Sequence, residues 1–354
     1  MTPMHRFRLI YLLIAVIVVA VVVYALTGSS YDVYVLDTIM LAAVGAVALD
    51  LLMGTGGQVS IGNAAFLAAG AFSAVWALRA GILFPFNVIV SACVCAVAGL
   101  IVGLPALRIR GMYLALATLA AFYIAQFVGE TYQSHTVGAG GFILNPVFGG
   151  TLAQQQATWA WVLGGVLIAT IVVASWLRAG RSGRAWRMIR DHEVAAAIMG
   201  IPVARYKLVL FVITSAVIGV EGGLLAEFTG SVTSSTYTLA SSISVIAMIL
   251  IGGLDSQAGP LIGAFVVTML PLVVPDITGL VIGNSSVNVD AGGYAEIVYG
   301  VLIMVFIIGA PQGISGLIQG LGQRAVAQLR PLRAGRQRPA VAVEKVDAGL
   351  GTSD

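Results

Sequence analysis

Charge is what this chain has least of. Of its 354 residues, 18 are Lys or Arg and 15 are Asp or Glu, 9% in all, while 59% are hydrophobic. A soluble domain carries about 25% charged and 45–50% apolar residues. A water-solvated helical fold is therefore excluded, because its outer faces would need charges that these runs do not hold. A closed β-barrel is excluded as well, since alternation of apolar and polar residues over strands of about 10 residues does not recur. Cysteine is nearly absent. Cys93 and Cys95 lie in SACVCAVAGL, two apart and on different sides of a helix, so they form no C-x-x-C metal or redox pair. No G-x-x-x-x-G-K-[ST] stretch is present to cradle ATP phosphates. His5, His135 and His192 are scattered, and neither metal-ligand spacings nor nucleophile–base pairs occur. The expectation is a non-catalytic chain with no cofactor and no metal. The basic balance, pI near 8.9, reports membrane orientation and not nucleic-acid binding.

What is present is apolar sequence in runs long enough to cross a bilayer core of about 30 Å as helix. Candidate spans are 9–26, 35–53, 61–78, 87–105, 112–129, 158–177, 208–226, 241–253, 259–275 and 295–310. The short 241–253 run is open to a second reading as a re-entrant half-helix. The fold class is an all-α polytopic membrane protein of about 8–10 spans, some glycine-broken or re-entrant. The run Leu9–Leu26 follows Arg6 and Arg8. It exceeds the roughly 7–15 residues of a signal-peptide core and precedes no small-x-small cleavage site, so it reads as an uncleaved first span.

Basic residues set the orientation. With the N-terminus inside, Arg6, Arg8, Arg108, Arg110, the Arg178–Lys207 block and the basic residues from Arg324 to Lys345 all fall on the inner side. Only Arg79 falls outside, and connectors 130–157 and 276–294 carry no Lys or Arg. The positive-inside rule then puts both termini in the cytoplasm. Residues 1–311 form the transmembrane domain. Residues 312–354, basic and then polar, form a flexible cytoplasmic tail.

Much of that charge crowds into RSGRAWRMIRDHEVAAAIMGIPVARYKL, residues 181–208. Ser182 is a candidate N-cap, Arg187 and Asp191 stand four apart, and Arg190 and Glu193 three apart. Gly200 and Pro202 end the run. One cytoplasmic helix over about 182–200 is expected. It is either a solvated connector that fixes topology or a docking helix, and Trp186 and Met188 among arginines suit an interface.

Two glycine-dense interruptions, LLMGTGGQVSIGNAAFLAAGAF (51–72) and ILIGGLDSQAGPLIGAF (249–265), break apolar stretches. Paired broken helices are a pointer to a transporter pathway. Asp50 and Glu221 fall inside spans, where ionisable groups face the bundle interior or water. Each is open to a pathway role; the bland alternative is an interfacial or a neutral, hydrogen-bonded carboxyl.

In their order along the chain these segments resemble the permease subunits of branched-chain amino acid ABC importers. LDLLMGTGGQVSIGNAAFLAAGAF is similar to the family's N-L-x-x-G-x-x-G-Q-x-S-x-G-H-A-A-F signature, and MYLALATLAAFYI to its M-Y-F-A-x-x-T-L-A segment. HTVGAGG, ILIGGLDSQAGPLIGA and EIVYGVLIMVFIIGAPQGISGLI resemble its later motifs. The basic block matches G-R-A-x-x-A-I-R-D-N-E-x-A-A-x-x-x-G-I-x-V-x-x-Y-K-L most closely. The resemblance implies a pore-forming subunit in the bacterial cytoplasmic membrane, paired with a second permease. Two cytosolic ATPases would hydrolyse ATP and a periplasmic binding protein would deliver substrate. Gly183, Arg184, Arg190, Glu193, Ala196 and Gly200 then belong to the segment contacting an ATPase, and Arg187 of the same helix joins them. Gln58, Ser60, Gly62 and Asn63, with Thr118 of the second motif, belong near the substrate pathway, where Asp50 and Glu221 are further candidates. Asp50 stands where Asn is usual, Asn63 replaces His, His192 replaces Asn and Gln312 replaces Arg. Glu221 occupies a position usually small and apolar. These departures leave the cargo open among branched-chain and related amino acids, urea, short amides and aromatic acids. A proton-coupled secondary transporter using Asp50 and Glu221 is the alternative mechanism.

Overall fold

The computed structural model describes residues 16–19, 29–106 and 112–282, together with 300, 301, 304 and 313. The expected span 295–310 and tail 312–354 lie almost wholly outside the described residues, as does most of 9–26.

Within them the chain is a helical bundle. Ser29 caps α1 (Ser30–Asp50) through a capping box in which its hydroxyl accepts from the Asp32 N–H and the Asp32 carboxylate accepts from the Ser29 N–H. A π-helical turn, Leu51–Thr55, follows directly. After an irregular stretch come α2 (Asn63–Arg79), α3 (Phe86–Ala106) and α4 (Met112–Thr136). A strand β1, Phe142–Ile143, precedes α5 (Leu152–Ala179), whose capping box pairs Thr151 with Gln154. Two short helices, α6 (Arg181–Asp191) and α7 (Glu193–Ile198), lead into α8 (Val203–Thr229). Strand β2, Ser231–Val232, pairs antiparallel with β1, Phe142 opposite Val232. Helices α9 (Leu239–Gly252) and α10 (Gly259–Ile282) follow.

Among the described residues, six helical segments are long and apolar enough to cross a membrane, by length and composition: Ser30–Thr55, Phe86–Pro105, Leu114–Thr136, Leu152–Ala179, Val203–Thr229 and Ser234–Gly252. The expected spans 35–53 to 259–275 each meet a helix within a few residues. The run at 61–78 becomes α2, whose 17 residues are short for a full crossing. The run at 241–253 becomes α9, 14 residues preceded by a 3₁₀ turn at Ser234–Thr236.

Helix α8 is the inner post of the bundle. Without a hydrophobic drive between helices in lipid, close approach of small residues supplies the contact. Gly219 faces Gly70 of α2 on one side and Cys95 of α3 on the other, and Gly222 lies on the Leu67 carbonyl, with no room for a methyl group at either glycine. Helices α9 and α10 approach in the same way, Gly263 against the Met248 backbone. The bundle has two unlike ends. One carries Arg181, Arg184, Arg187, Arg190, Arg205 and Lys207 at the start of α8 and on the helices before it. The other holds the β1–β2 ribbon, Arg79 over the Phe142 ring at 5.6 Å, and packed rings of Phe84, Phe148, Trp159 and Phe228.

Candidate functional site

The basic block folds as two helices instead of one. Helix α6 is capped by Gly180 and not by Ser182, and the chain breaks at His192, whose backbone is extended (φ −150°, ψ 91°). The expected single helix over 182–200 is thereby corrected. The ion pairs expected from helical spacing also change. Arg187 donates to the Arg178 carbonyl at 3.1 Å, and Glu193 pairs with Lys207 at 2.8 Å across the break. Tertiary partners replace the local ones because an exposed pair three or four residues apart contributes only about 0.2–0.5 kcal/mol. Gly200 does terminate α7, at φ +81°, and Pro202 starts α8.

Helix α6 is bound to the bundle by its apolar face. Ala185, Trp186 and Ile189 are buried, and the Trp186 indole N–H donates to the Tyr206 carbonyl at 2.9 Å. Gly183 lies against the Arg178 backbone too closely for any side chain, and Ala196 is fully buried. Arg184 is exposed, and its guanidinium reaches the Ala179 carbonyl at 3.4 Å. The motif residues therefore mostly hold the helix pair in place. What α7 presents outward is apolar: Val194, Ile198 and Met199 are 69%, 81% and 75% exposed. Sequence reasoning missed these three; the four-residue spacing of Val194 and Ile198 was the one signal that two of them share a face.

Beneath α6 the two glycine-broken segments meet. The Asp50 carboxylate, fully buried at the end of α1, accepts from Arg178 at 2.6 Å and from the Asp255 N–H at 2.9 Å. Arg178 also donates to the Ser256 carbonyl at 3.1 Å. Thr55 of the π-helical turn donates to the Asp255 carboxylate at 3.0 Å. Arg190 of α6 reaches over both segments, donating to the Gly54 carbonyl and to the Asp255 carboxylate, the latter at 3.1 Å, and pairs as well with Asp191. Partial burial lowers the Arg190 pKa, but the hydrogen bonds and charges of Asp191 and Asp255 outweigh it and leave the group above the usual arginine value. It is a permanent cation. Gln58 extends the network by donating to the Lys207 carbonyl at 3.2 Å.

The remaining pathway candidates lie further along the same broken segment. Ser60 and Asn63 are 2% and 1% exposed, and Gly62 packs on the backbone of Thr118, which is fully buried in α4. The Thr118 hydroxyl accepts from the Ile61 N–H at 3.1 Å, and Ser242 of α9 accepts from the Ala64 N–H at 2.8 Å. Glu221 stands apart from both groups. It is 5% exposed on α8, with its carboxyl against Gly45 of α1 and one oxygen unpartnered. Asp37 of α1, which sequence reasoning did not single out, is fully buried with both oxygens unpartnered. Glu227 is bonded to Asn87 of α3.

Comparison with known proteins adds an independent observation. A family model described as branched-chain amino acid transport system / permease component matches residues 31–308. The high-affinity branched-chain amino acid transport system permease protein LivM of Salmonella typhimurium is 26% identical over 330 residues, covering 85% of this chain and 74% of its own. LivM of Escherichia coli matches with the same identity and coverage. The permease protein LivH of Escherichia coli is 25% identical over 213 residues, 57% of this chain and 64% of its own. No solved structure matches.

Proposed function

We propose that this chain, which belongs to the branched-chain amino acid transport system permease component family, is the membrane subunit of an ATP-driven importer for branched-chain or related amino acids. It moves its cargo inward across the bacterial cytoplasmic membrane. The positive-inside rule places the basic end, with α6 and α7, in the cytoplasm. There the helix pair docks on one of two ATP-binding subunits that hydrolyse ATP, while a second permease of the same family completes the pore. A binding protein delivers substrate at the ribbon end. Similarity to both LivM and LivH, each named as a permease of a branched-chain amino acid system, supports the pairing.

One observation carries the reading. Arg190 belongs to the helix pair that would meet the ATPase, and its guanidinium bridges the two broken segments, at Gly54 and at Asp255. A displacement of α6 is delivered to both interruptions at once, and these are the places where backbone in a membrane can change conformation. A connector that only fixed topology would need no such bond. Asp50 is better assigned to this junction than to the pathway or to proton carriage, because Arg178 and the Asp255 N–H engage its carboxylate.

The test is uptake of radiolabelled leucine into proteoliposomes holding both permeases and both ATPases, with the binding protein outside. Uptake should require ATP on the ATPase side. Uptake driven by a proton gradient alone, without ATPases, would overturn the proposal in favour of a secondary transporter.

A further inference from the structure

The first turn of α2 has more hydrogen-bonding capacity than the chain uses. Asn63 is 1% exposed, yet neither its Oδ1 nor its Nδ2 has a partner. A buried amide left so in a native fold calls for an explanation, and a bound polar group is one. The Ser242 hydroxyl accepts from the Ala64 N–H, which leaves its own proton free to donate, and Ser60 lies buried beside the turn. The N-terminus of a 17-residue helix adds a partial positive charge of about one half, although the Ala64 and Ala65 N–H groups are taken by Ser242 and by the Gly62 carbonyl.

Depth and surroundings narrow the ligand. Ser242 precedes the end of α9, Gly252, by ten residues, about 15 Å of helix, which is half of a bilayer core of about 30 Å. Ala64, Ala65, Ala68 and Phe72 of α2, with Phe122 and Tyr237, line a narrow, closed seam that starts at the same turn. Gln126 and Ser234 are its polar lining residues, its accessible wall is otherwise apolar, and in this conformation it is too tight for a water molecule.

We propose that the first turn of α2 seats the carboxylate of the cargo midway through the membrane, and that the cargo's apolar side chain enters the adjoining crevice when the bundle opens. Resting on the importer reading, this selects amino acids with apolar side chains over urea and short amides, which carry no carboxylate. Asn63 Nδ2, the Ser242 hydroxyl and the helix terminus hold the anion, and the aromatic rings of Phe72, Phe122 and Tyr237 close over the side chain.

The experiment labels the crevice directly. In the assembled transporter, with Cys93→Ala and Cys95→Ala as background, Ala65→Cys is exposed during ATP turnover to a small methanethiosulfonate reagent. Labelling is followed with leucine, leucinamide or neither present. Leucine should slow labelling and leucinamide, which lacks the carboxylate, should not. Asn63→Leu removes an unsatisfied buried amide, so the fold is no less stable, whereas protection by leucine weakens about tenfold or more. Ser242→Ala should weaken it in the same direction and serves if the Asn63 variant does not assemble. A position 65 that stays inert, equal protection by leucine and leucinamide, or full protection in both variants overturns the site. Leucine uptake without any need for ATP would instead sink the importer reading and leave the labelling result standing.

Discussion

Asp50 and Arg178, separated by 128 residues in the chain, meet at 2.6 Å with side chains 0% and 6% exposed. The pair closes a junction to which α1, α5, the Asp255 loop and α6 each contribute a group. Two charges withdrawn from water are held by each other and by backbone, through the Asp255 N–H and the Ser256 carbonyl.

Breaking such a pair from one side leaves a buried charge without compensation. Arg178→Leu should destabilise the protein by about 3–5 kcal/mol, and Asp50→Leu combined with it by much less. Unfolding in mixed micelles measures both. A double-variant loss equal to the sum of the losses in Arg178→Leu and Asp50→Leu alone would show that the two residues act separately.

Arg190 should separate hydrolysis from transport. In Arg190→Ala the apolar anchors of α6, Trp186 and Ile189, still bind the helix to the bundle, so ATPase association persists while leucine moved per ATP hydrolysed falls. Arg190→Lys should not restore the ratio, because one ammonium cannot span the Gly54 carbonyl and two carboxylates as a planar guanidinium does. The ratio of uptake to phosphate release is the readout, and an unchanged ratio in both variants would remove Arg190 from the coupling path.

The outward face of α7 should carry the contact with the ATPase. Val194→Asp and Ile198→Asp replace residues 69% and 81% exposed. Stability of the free permease should change by no more than about 0.5 kcal/mol, while co-purification of the ATPase is lost. Ala196→Leu, at a fully buried position on the same helix, should instead reduce stability by about 1–3 kcal/mol through overpacking. ATPase retained by both Asp variants would place the docking face elsewhere.

Gly45 and Glu221 should be coupled. A methyl group on Gly45 overlaps the Glu221 carboxyl, so Gly45→Ala should cost about 1–3 kcal/mol. Adding Glu221→Ala removes the obstacle and should recover most of that loss, as unfolding in mixed micelles would show. A double variant no more stable than Gly45→Ala would mean that the glycine answers to some other neighbour.

Much of the helical layout was legible because apolar length is read from sequence with little interference: spans expected at 87–105 and 208–226 meet helices Phe86–Ala106 and Val203–Thr229. Gly200 and Pro202 marked the end of the basic block for the same local reason, a left-handed residue followed by one that cannot continue a helix. The break at His192 was not legible. Helix propensity runs almost unbroken through this block, and the interruption is tied to the contacts on either side, Arg190 with the broken segments and Glu193 with Lys207.

By itself, then, the sequence determined that this protein is a helical membrane chain, where its helices run, and which stretches interrupt them. Those properties follow from composition, periodicity and local backbone preference. Only the tertiary structure decided that the interruptions at 51–62 and 253–258 touch, that Asp50 belongs to Arg178, and that Gly183 and Ala196 of the basic block are buried while Val194, Ile198 and Met199 face out. Such pairings join residues up to about 200 apart in the chain. They are chosen by which helix faces can approach closely enough to satisfy a buried charge, and no local pattern encodes that choice.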